Sequence, residues 1–180
     1  RIKLQRQSSF EVTTRTETHS GNDIVIGDRG SNTILLGAGN DTASPGVGDD
    51  HIDGGTGIDT VSYLGLNQPI RLTAGHVSKS GESYMQVSNQ QSLTAERRIN
   101  SRLLNVETID AEAGSHLDLS GAAQAMRSDN SKDAAPYQLR TGIGSTVIGS
   151  DFHDGVTIDA ARASRYNTDT SRFSHTTTIN

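Results

Sequence analysis

Glycine recurs at every ninth residue between His19 and Tyr63, and this periodicity limits the fold more than any other feature of the chain. Two residues after each of these glycines comes Asp or Asn, and two residues further on comes an apolar side chain. A repeat this short is typical of coiled structures in which each repeat is one structural unit stacked on the next. The glycines at this spacing are Gly21, Gly30, Gly39, Gly48 and Gly57.

The composition of one repeat predicts a tight turn followed by a very short strand. Glycine tolerates positive φ and is unfavourable inside helices and strands, so the glycine-rich half must be the turn. The three residues after it, as in Thr60–Ser62, alternate polar, apolar and polar, which directs one side chain inward. Two units then make an 18-residue circuit whose strands stack in parallel. The residues predicted to face inward are Val25, Ala43 and Val61 on one sheet, and Ile34 and Ile52 on the facing sheet.

Acidic residues stack along the predicted coil. Residues 19–63 contain seven Asp and one basic residue, a net charge of −6. On an 18-residue circuit Asp23, Asp41 and Asp59 share one side, and Asn32 and Asp50 share the other. Carboxylates brought this close repel one another unless a cation lies between them.

Calcium is the cation that suits these groups, because it accepts the six to eight oxygens that carboxylates and exposed turn carbonyls offer, whereas magnesium retains its waters. A chain without Cys disfavours the softer transition metals. The predicted ion is therefore calcium.

The run GNDIVIGDRGSNTILLGAGNDTASPGVGDDHIDGGTGIDTVSY resembles the RTX, or haemolysin-type, calcium-binding nonapeptide, written GGxGxDxUx. The resemblance implies an all-β parallel β-roll that binds calcium between turns one circuit apart, as in secreted bacterial toxins, proteases, lipases and adhesins. It implies aspartate-type ligand pairs and further oxygens from the turn carbonyls. The implied metal residues are Asp23, Asn32, Gly37, Gly39, Asp41, Gly46, Gly48, Asp50, Gly55, Gly57 and Asp59.

Some positions depart from the nonapeptide pattern. Asn32 replaces Asp and lowers the charge of its pair, and His19 and Asp28 stand where a second glycine is usual.

A flexible acidic linker is one alternative interpretation of the repeat segment, but a linker does not keep apolar residues at a fixed spacing. An EF-hand loop starting at Asp49 is another, and it fails because His51 and Thr60 occupy its third and twelfth positions, where acidic ligands are needed.

The remaining chain divides by pattern into flanking regions. Residues 1–18 are predicted to form an N-terminal cap or leader strand, 19–63 the β-roll, 64–127 a β-rich flank, 128–159 a linker with degenerate repeat strands, and 160–180 a polar tail. Within the flank we expect a strand at 70–73, a loop or hairpin at 75–91 and a short helix at 92–104. In the degenerate repeat, Thr146 and Asp154 fall near the ligand position and Ile148 and Val156 near the inward one. Their spacing of eight favours a calcium-free stack.

Several classes of function are excluded or disfavoured. The absence of Cys rules out disulfide scaffolds, zinc ribbons and thiol nucleophiles. No nucleophile elbow, zinc-binding helix or Walker sequence is present. A net charge of −5 with 4% aromatics argues against nucleic acid, and no apolar run approaches the ~18 residues of a membrane helix. Glu107, Asp110 and Glu112 are candidate acids for hydrolysis, but a surface role is favoured. We therefore expect a non-catalytic module.

These features together predict a calcium-binding structural module that folds in calcium-rich medium, and the RTX resemblance implies that it belongs to a secreted bacterial toxin and folds on export. One alternative is a calcium-stiffened segment of a large adhesin, and another is the non-catalytic C-terminal module of a secreted protease or lipase. Expected partners are calcium ions, the type I secretion machinery that the resemblance implies, and a host cell surface reached through the parent protein.

Overall fold

The computed structural model describes residues 2–3, 14–89, 97–122, 137–150 and 154–159, and their extended regular elements are all strands. No helix in these ranges is long and apolar enough to cross a membrane. The strands of the repeat region and before it are β1 (Ile2–Lys3), β2 (Thr14–Glu17), β3 (Ile24–Ile26), β4 (Asn32–Leu35), β5 (Thr42–Ser44), β6 (His51–Asp53) and β7 (Thr60–Ser62). The later strands are β8 (Ile70–Val77), β9 (Ser83–Asn89), β10 (Asn100–Leu104), β11 (Thr108–Asp110), β12 (His116–Asp118), β13 (Gln138–Gly142), β14 (Thr146–Ile148) and β15 (Gly155–Asp159).

The strands form two sheets that face each other across one apolar core. The first sheet has the order β1-β3-β5-β7-β11-β13-β15, and all its pairs are parallel. The second has the order β14-β12-β8-β9-β10-β6-β4-β2, and only β9 runs antiparallel to its neighbours. The predicted all-β parallel β-roll is confirmed.

Register within the repeats shows the predicted 18-residue circuit. Val25 pairs with Ala43 and Ala43 with Val61 in the first sheet, while Ile34 pairs with Ile52 in the second. All five side chains are fully buried. The apolar residue of each repeat therefore packs on its equivalent one circuit away, and the glycine periodicity correctly predicted the repeat strands of both sheets.

The coil continues beyond the last glycine repeat. After Tyr63 the chain leaves the circuit, forms the β8–β9 hairpin on the second sheet and returns through β10, which lies beside β6. β11 then pairs with β7, so both sheets run past the repeats into the flanking sequence. The predicted strand at 70–73 lies inside β8.

The predicted helix at 92–104 is wrong where the structure describes it, since Asn100–Leu104 is strand β10. Residues 92–96 of that prediction lie outside the described residues. Ile99, Ser101 and Leu103 are buried in alternation, which is the period of a strand. Sequence spacing suggested a helix because Ile99 and Leu103 are also four residues apart. β10 pairs with β6 on one side and with β9 on the other, and this pairing favours the two-residue period of a strand over the helical period.

One of the two predicted inward residues of the degenerate repeat is also wrong. Ile148 is 40% exposed, and Val147 packs against the core in its place. Val156 pairs with the inward Leu139, as predicted, and is 38% exposed because β15 is the last described strand of its sheet. β14 and β15 are the last described strands of their sheets, so no described strand covers their outer edges. The inward residue of β14 is the centre of its triplet, as in the glycine repeats.

Truncating an inward residue should destabilise the roll strongly. We expect Ile52→Ala to lower the free energy of unfolding by about 2–4 kcal/mol, because the fully buried side chain leaves a cavity. Ile58→Ala removes the same atoms from a side chain that is 45% exposed and should change it by less than about 0.5 kcal/mol. Urea denaturation in saturating calcium measures both, and equal losses would contradict the assigned core.

Candidate calcium sites

The glycine-rich turns stack backbone against backbone. Gly55 and Gly57 have φ of +88° and +129°, a region that side chains other than glycine rarely adopt. A Cβ on Gly57 would lie within 3.0 Å of the carbonyl oxygen of Gly39, one circuit earlier. The same holds at Gly55 against Gly37. Carbonyl oxygens therefore line the space between successive turns, and any side chain at these positions would fill it. The other predicted turn glycines with positive φ are Gly37, Gly39, Gly46 and Gly48.

Aspartates form a ladder on one side of the coil. The backbone N–H of Asp23 donates to Asp41 Oδ1 over 2.6 Å, and the N–H of Asp41 donates to Asp59 Oδ1 over 2.9 Å. Each carboxylate thus holds the backbone of the turn one circuit before it. Asp41 and Asp59 are almost fully buried by this stacking.

The second carboxylate oxygen of these two residues has no hydrogen-bond donor. Oδ2 of Asp41 and Oδ2 of Asp59 are both buried and without a partner. Burying a charged oxygen without compensation is costly, and buried charges in proteins are paired or bound to metal ions. This donor set of anionic oxygens and turn carbonyls fits a hard divalent cation.

On the opposite side of the coil, the Asp50 carboxylate and the Asn32 side chain have hydrogen-bond partners within the protein. Asp50 accepts from the Asn32 backbone N–H over 2.9 Å and from the Ser101 hydroxyl over 3.3 Å. The Asn32 side chain exchanges two 3.1 Å hydrogen bonds with Asp28, accepting from its N–H and donating to its carboxylate. Asp28 therefore binds the side-chain amide of Asn32, which stands where the repeat pattern has a carboxylate. This side offers fewer unpartnered oxygens to a cation than the side of Asp41 and Asp59.

Burial changes the acidity of the stacked carboxyls. Burial raises the pKa of Asp50 to about 7, and burial together with the nearby Glu107 and Asp41 charges raises the pKa of Asp59 to about 7. The folded state then binds more protons than the unfolded state between the ordinary pKa of 3.8 and about 7. The calcium-free fold therefore loses stability as pH rises through that range. A bound cation would instead favour the ionised carboxylates.

Two features of the stacked turns were not predicted from the sequence. Asn22 and Asn40 form a second ladder, in which Asn40 N–H donates to Asn22 Oδ1 over 2.9 Å and Ile58 N–H to Asn40 Oδ1 over 3.0 Å.

The second feature is the burial of Glu107, for which the predicted surface role is wrong. This residue is 4% exposed and accepts from the Asp59 N–H over 2.9 Å. The sequence contains one indication of this position for Glu107. It precedes the polar-apolar-polar triplet Thr108–Asp110 just as Asp59 precedes Thr60–Ser62.

The described part of the chain brings no three His, Cys, Asp or Glu side chains together as a metal site. Carboxylates in the repeats instead occur as pairs across one circuit, between turns lined by carbonyls. Any cation held there needs the backbone oxygens as well as the side chains.

This arrangement defines a parallel β-roll with pairs of stacked, buried carboxylates between glycine turns. Residues 18–50 and 46–61 match the family described as RTX calcium-binding nonapeptide repeat (4 copies). The chain therefore contains RTX repeats, and repeats of this kind bind calcium ions. No curated protein and no solved structure matches the chain.

A side chain added inside a turn should block the stacking. We expect Gly57→Ala to lower the free energy of unfolding by about 1–3 kcal/mol more than Gly81→Ala, because only Gly57 meets a carbonyl oxygen. Gly81 also has positive φ, +88°, but nothing lies within 4 Å of its added Cβ, so it controls for backbone strain. Chemical denaturation in saturating calcium compares the two variants. Similar losses would show that φ alone makes glycine necessary.

Proposed function

We propose that residues 19–63 are a calcium-responsive folding module of a secreted bacterial protein. The ligands belong to three pairs across one circuit, Asp23 with Asp41, Asn32 with Asp50, and Asp41 with Asp59. The turn carbonyls complete the coordination. The glycines assigned to these turns are Gly37, Gly39, Gly46, Gly48, Gly55 and Gly57.

One observation carries the proposal: the Oδ2 atoms of Asp41 and Asp59 are buried, one circuit apart, with no donor to either. Burying two uncompensated anionic oxygens is costly, and a divalent cation removes that cost while both carboxylates stay ionised. The segment also carries a net charge of −6 and only short apolar runs, so its calcium-free fold has little to offset the repulsion.

The proposed mechanism is thermodynamic linkage. An ion that binds only the folded coil stabilises it in proportion to the logarithm of the free ion concentration. In calcium-poor cytosol the repeat stays unfolded and can be exported; in calcium-rich medium it folds. Proteins with RTX repeats are typically secreted by bacteria, which agrees with this order of events.

For the parent protein we propose a toxin exported by type I secretion and acting at a host cell surface. The RTX repeat itself is a structural and generally non-catalytic unit, which supports placing the toxic activity in another part of the parent protein. The sequence that flanks this segment in the full-length protein separates the proposals. A membrane-active or effector region supports a toxin, tandem immunoglobulin-like repeats an adhesin, and a hydrolase domain a protease or lipase.

Calcium titration of the chain should produce a cooperative gain of β-sheet circular dichroism that excess chelator reverses. Asp59→Asn should raise the calcium concentration at the midpoint about tenfold or more, because calcium affinity follows the charge of the ligand set. The variant keeps an oxygen that can accept from the Asp41 N–H, so loss of charge is the main change.

Asp118→Asn is the matched control for this titration. Asp118 lies at the end of β12 and accepts from Ser120 at the surface, far from the ladder in the fold's topology. Its substitution should leave the calcium midpoint unchanged. An unaltered β-sheet signal in excess chelator, or an equal response to magnesium, would overturn the proposed function.

A further inference from the structure

The coil resumes after the β8–β10 excursion with an acidic residue in the position of the next ladder member. β11 pairs with β7 so that Thr108 lies opposite Thr60, which places Glu107 opposite Asp59. In the repeats the corresponding partner comes 18 residues later, as Asp41 does for Asp23. Here it comes 48 residues later, outside the residues that match the RTX repeat.

Glu107 makes the hydrogen bond that the repeat aspartates make. Its Oε2 accepts from the Asp59 N–H over 2.9 Å, the same length as the bond from Asp41 N–H to Asp59 Oδ1. The backbone follows the ladder as well, since Thr108 N–H donates to the Asp59 carbonyl over 2.9 Å as Thr60 N–H does to the Asp41 carbonyl over 2.8 Å. Glu107 therefore occupies a ladder position although its sequence context differs.

The turn that precedes Glu107 also reproduces a repeat turn. The carbonyl oxygen of Asn105 and Oδ2 of Asp59 both lie within 3.0 Å of the point where a Cβ of Gly54 would stand. At Gly27 the corresponding oxygens are those of Pro45 and the Asn32 side chain. Asn105 reaches this geometry with φ of +51° and without glycine.

Oδ2 of Asp59 is the independent indication of a ligand. It is buried and has no hydrogen-bond donor, and it lies with the Asn105 carbonyl oxygen within 3.0 Å of the point where a Cβ of Gly54 would stand. The Asp41–Asp59 pair can use the unpartnered Oδ2 of Asp41. Asp59 thus has an oxygen available toward the next turn, where the repeat sequence has already ended.

We propose that Asp59 and Glu107 hold a further divalent cation, most suitably calcium, between the last glycine turn and the turn at residues 105–107. This inference rests on the proposed calcium function of the repeats and extends it to a residue outside them. The ion would join two parts of the chain that are 48 positions apart and would make the order of β11, and of β13 beside it, depend on calcium.

Glu107→Gln tests the site in the full chain. Glutamine keeps an oxygen that can accept from the Asp59 N–H while removing the charge. Glu112→Gln is the matched control, since Glu112 also accepts a backbone N–H from a distant turn, that of Gly65 over 2.7 Å, in an exposed setting. In native mass spectrometry with calcium as the only added metal, the number of bound ions is read from the folded molecules. We expect one ion fewer per chain in Glu107→Gln than in the wild type and Glu112→Gln.

Hydrogen exchange supplies a readout besides the ion count. Calcium should protect the amides of β11 and β13 in the wild type and Glu112→Gln, and protect them less in Glu107→Gln. Glu107→Asp, which keeps the charge, should restore the ion count if Glu107→Gln proves too unstable to measure. A wild-type chain that binds calcium with an unchanged count in Glu107→Gln overturns this site alone. A wild-type chain that binds no calcium overturns the proposed function itself.

Discussion

The hydrogen bond from a backbone N–H to the carboxylate one circuit later is the interaction on which the rest of the roll depends. It fixes the vertical spacing of the turns at Asp23, Asp41 and Asp59, and so sets the register of the first sheet. It also brings each carboxylate out of water, because the next turn covers it. The bond that builds the coil therefore creates buried negative charge. A cation is the partner that offsets the charge without disturbing the bond.

The parallel coil tolerates a long excursion because each strand needs only its neighbour's backbone and an inward apolar side chain. β7 ends at Ser62, and β11 takes up the same pairing at Thr108 with Ile109 inward. Between them the chain adds the β8–β9 hairpin to the second sheet, and β10 returns to β6. The flanking sequence and the repeats thus share one core, and folding of the first sheet can pass from one to the other.

Sequence periodicity was sufficient for the fold of the repeats and insufficient for the strands that come after them. Val25, Ala43 and Val61 could be assigned because spacing alone determines a coil of fixed circuit length. Glu107 had only a local signal, its position before the triplet Thr108–Asp110, and its place in the ladder depends on where β10 returns the chain, which is a matter of long-range pairing. The helix predicted at 92–104 failed for the same reason: at Asn100–Leu104, pairing with two neighbouring strands outweighs a weak local preference.

The two sides of the coil differ in how much they need an ion. On the side of Asp50, the Ser101 hydroxyl and the Asn32 backbone satisfy both carboxylate oxygens. On the side of Asp41 and Asp59, one oxygen of each remains without a donor. Protein groups thus replace part of the ion's role on one side only. The side with the unpartnered oxygens is the one that continues through Glu107 into β11. Calcium at the proposed Asp59–Glu107 site would therefore stabilise the roll where it joins the flanking strands. An ion bound there acts on the folding of both.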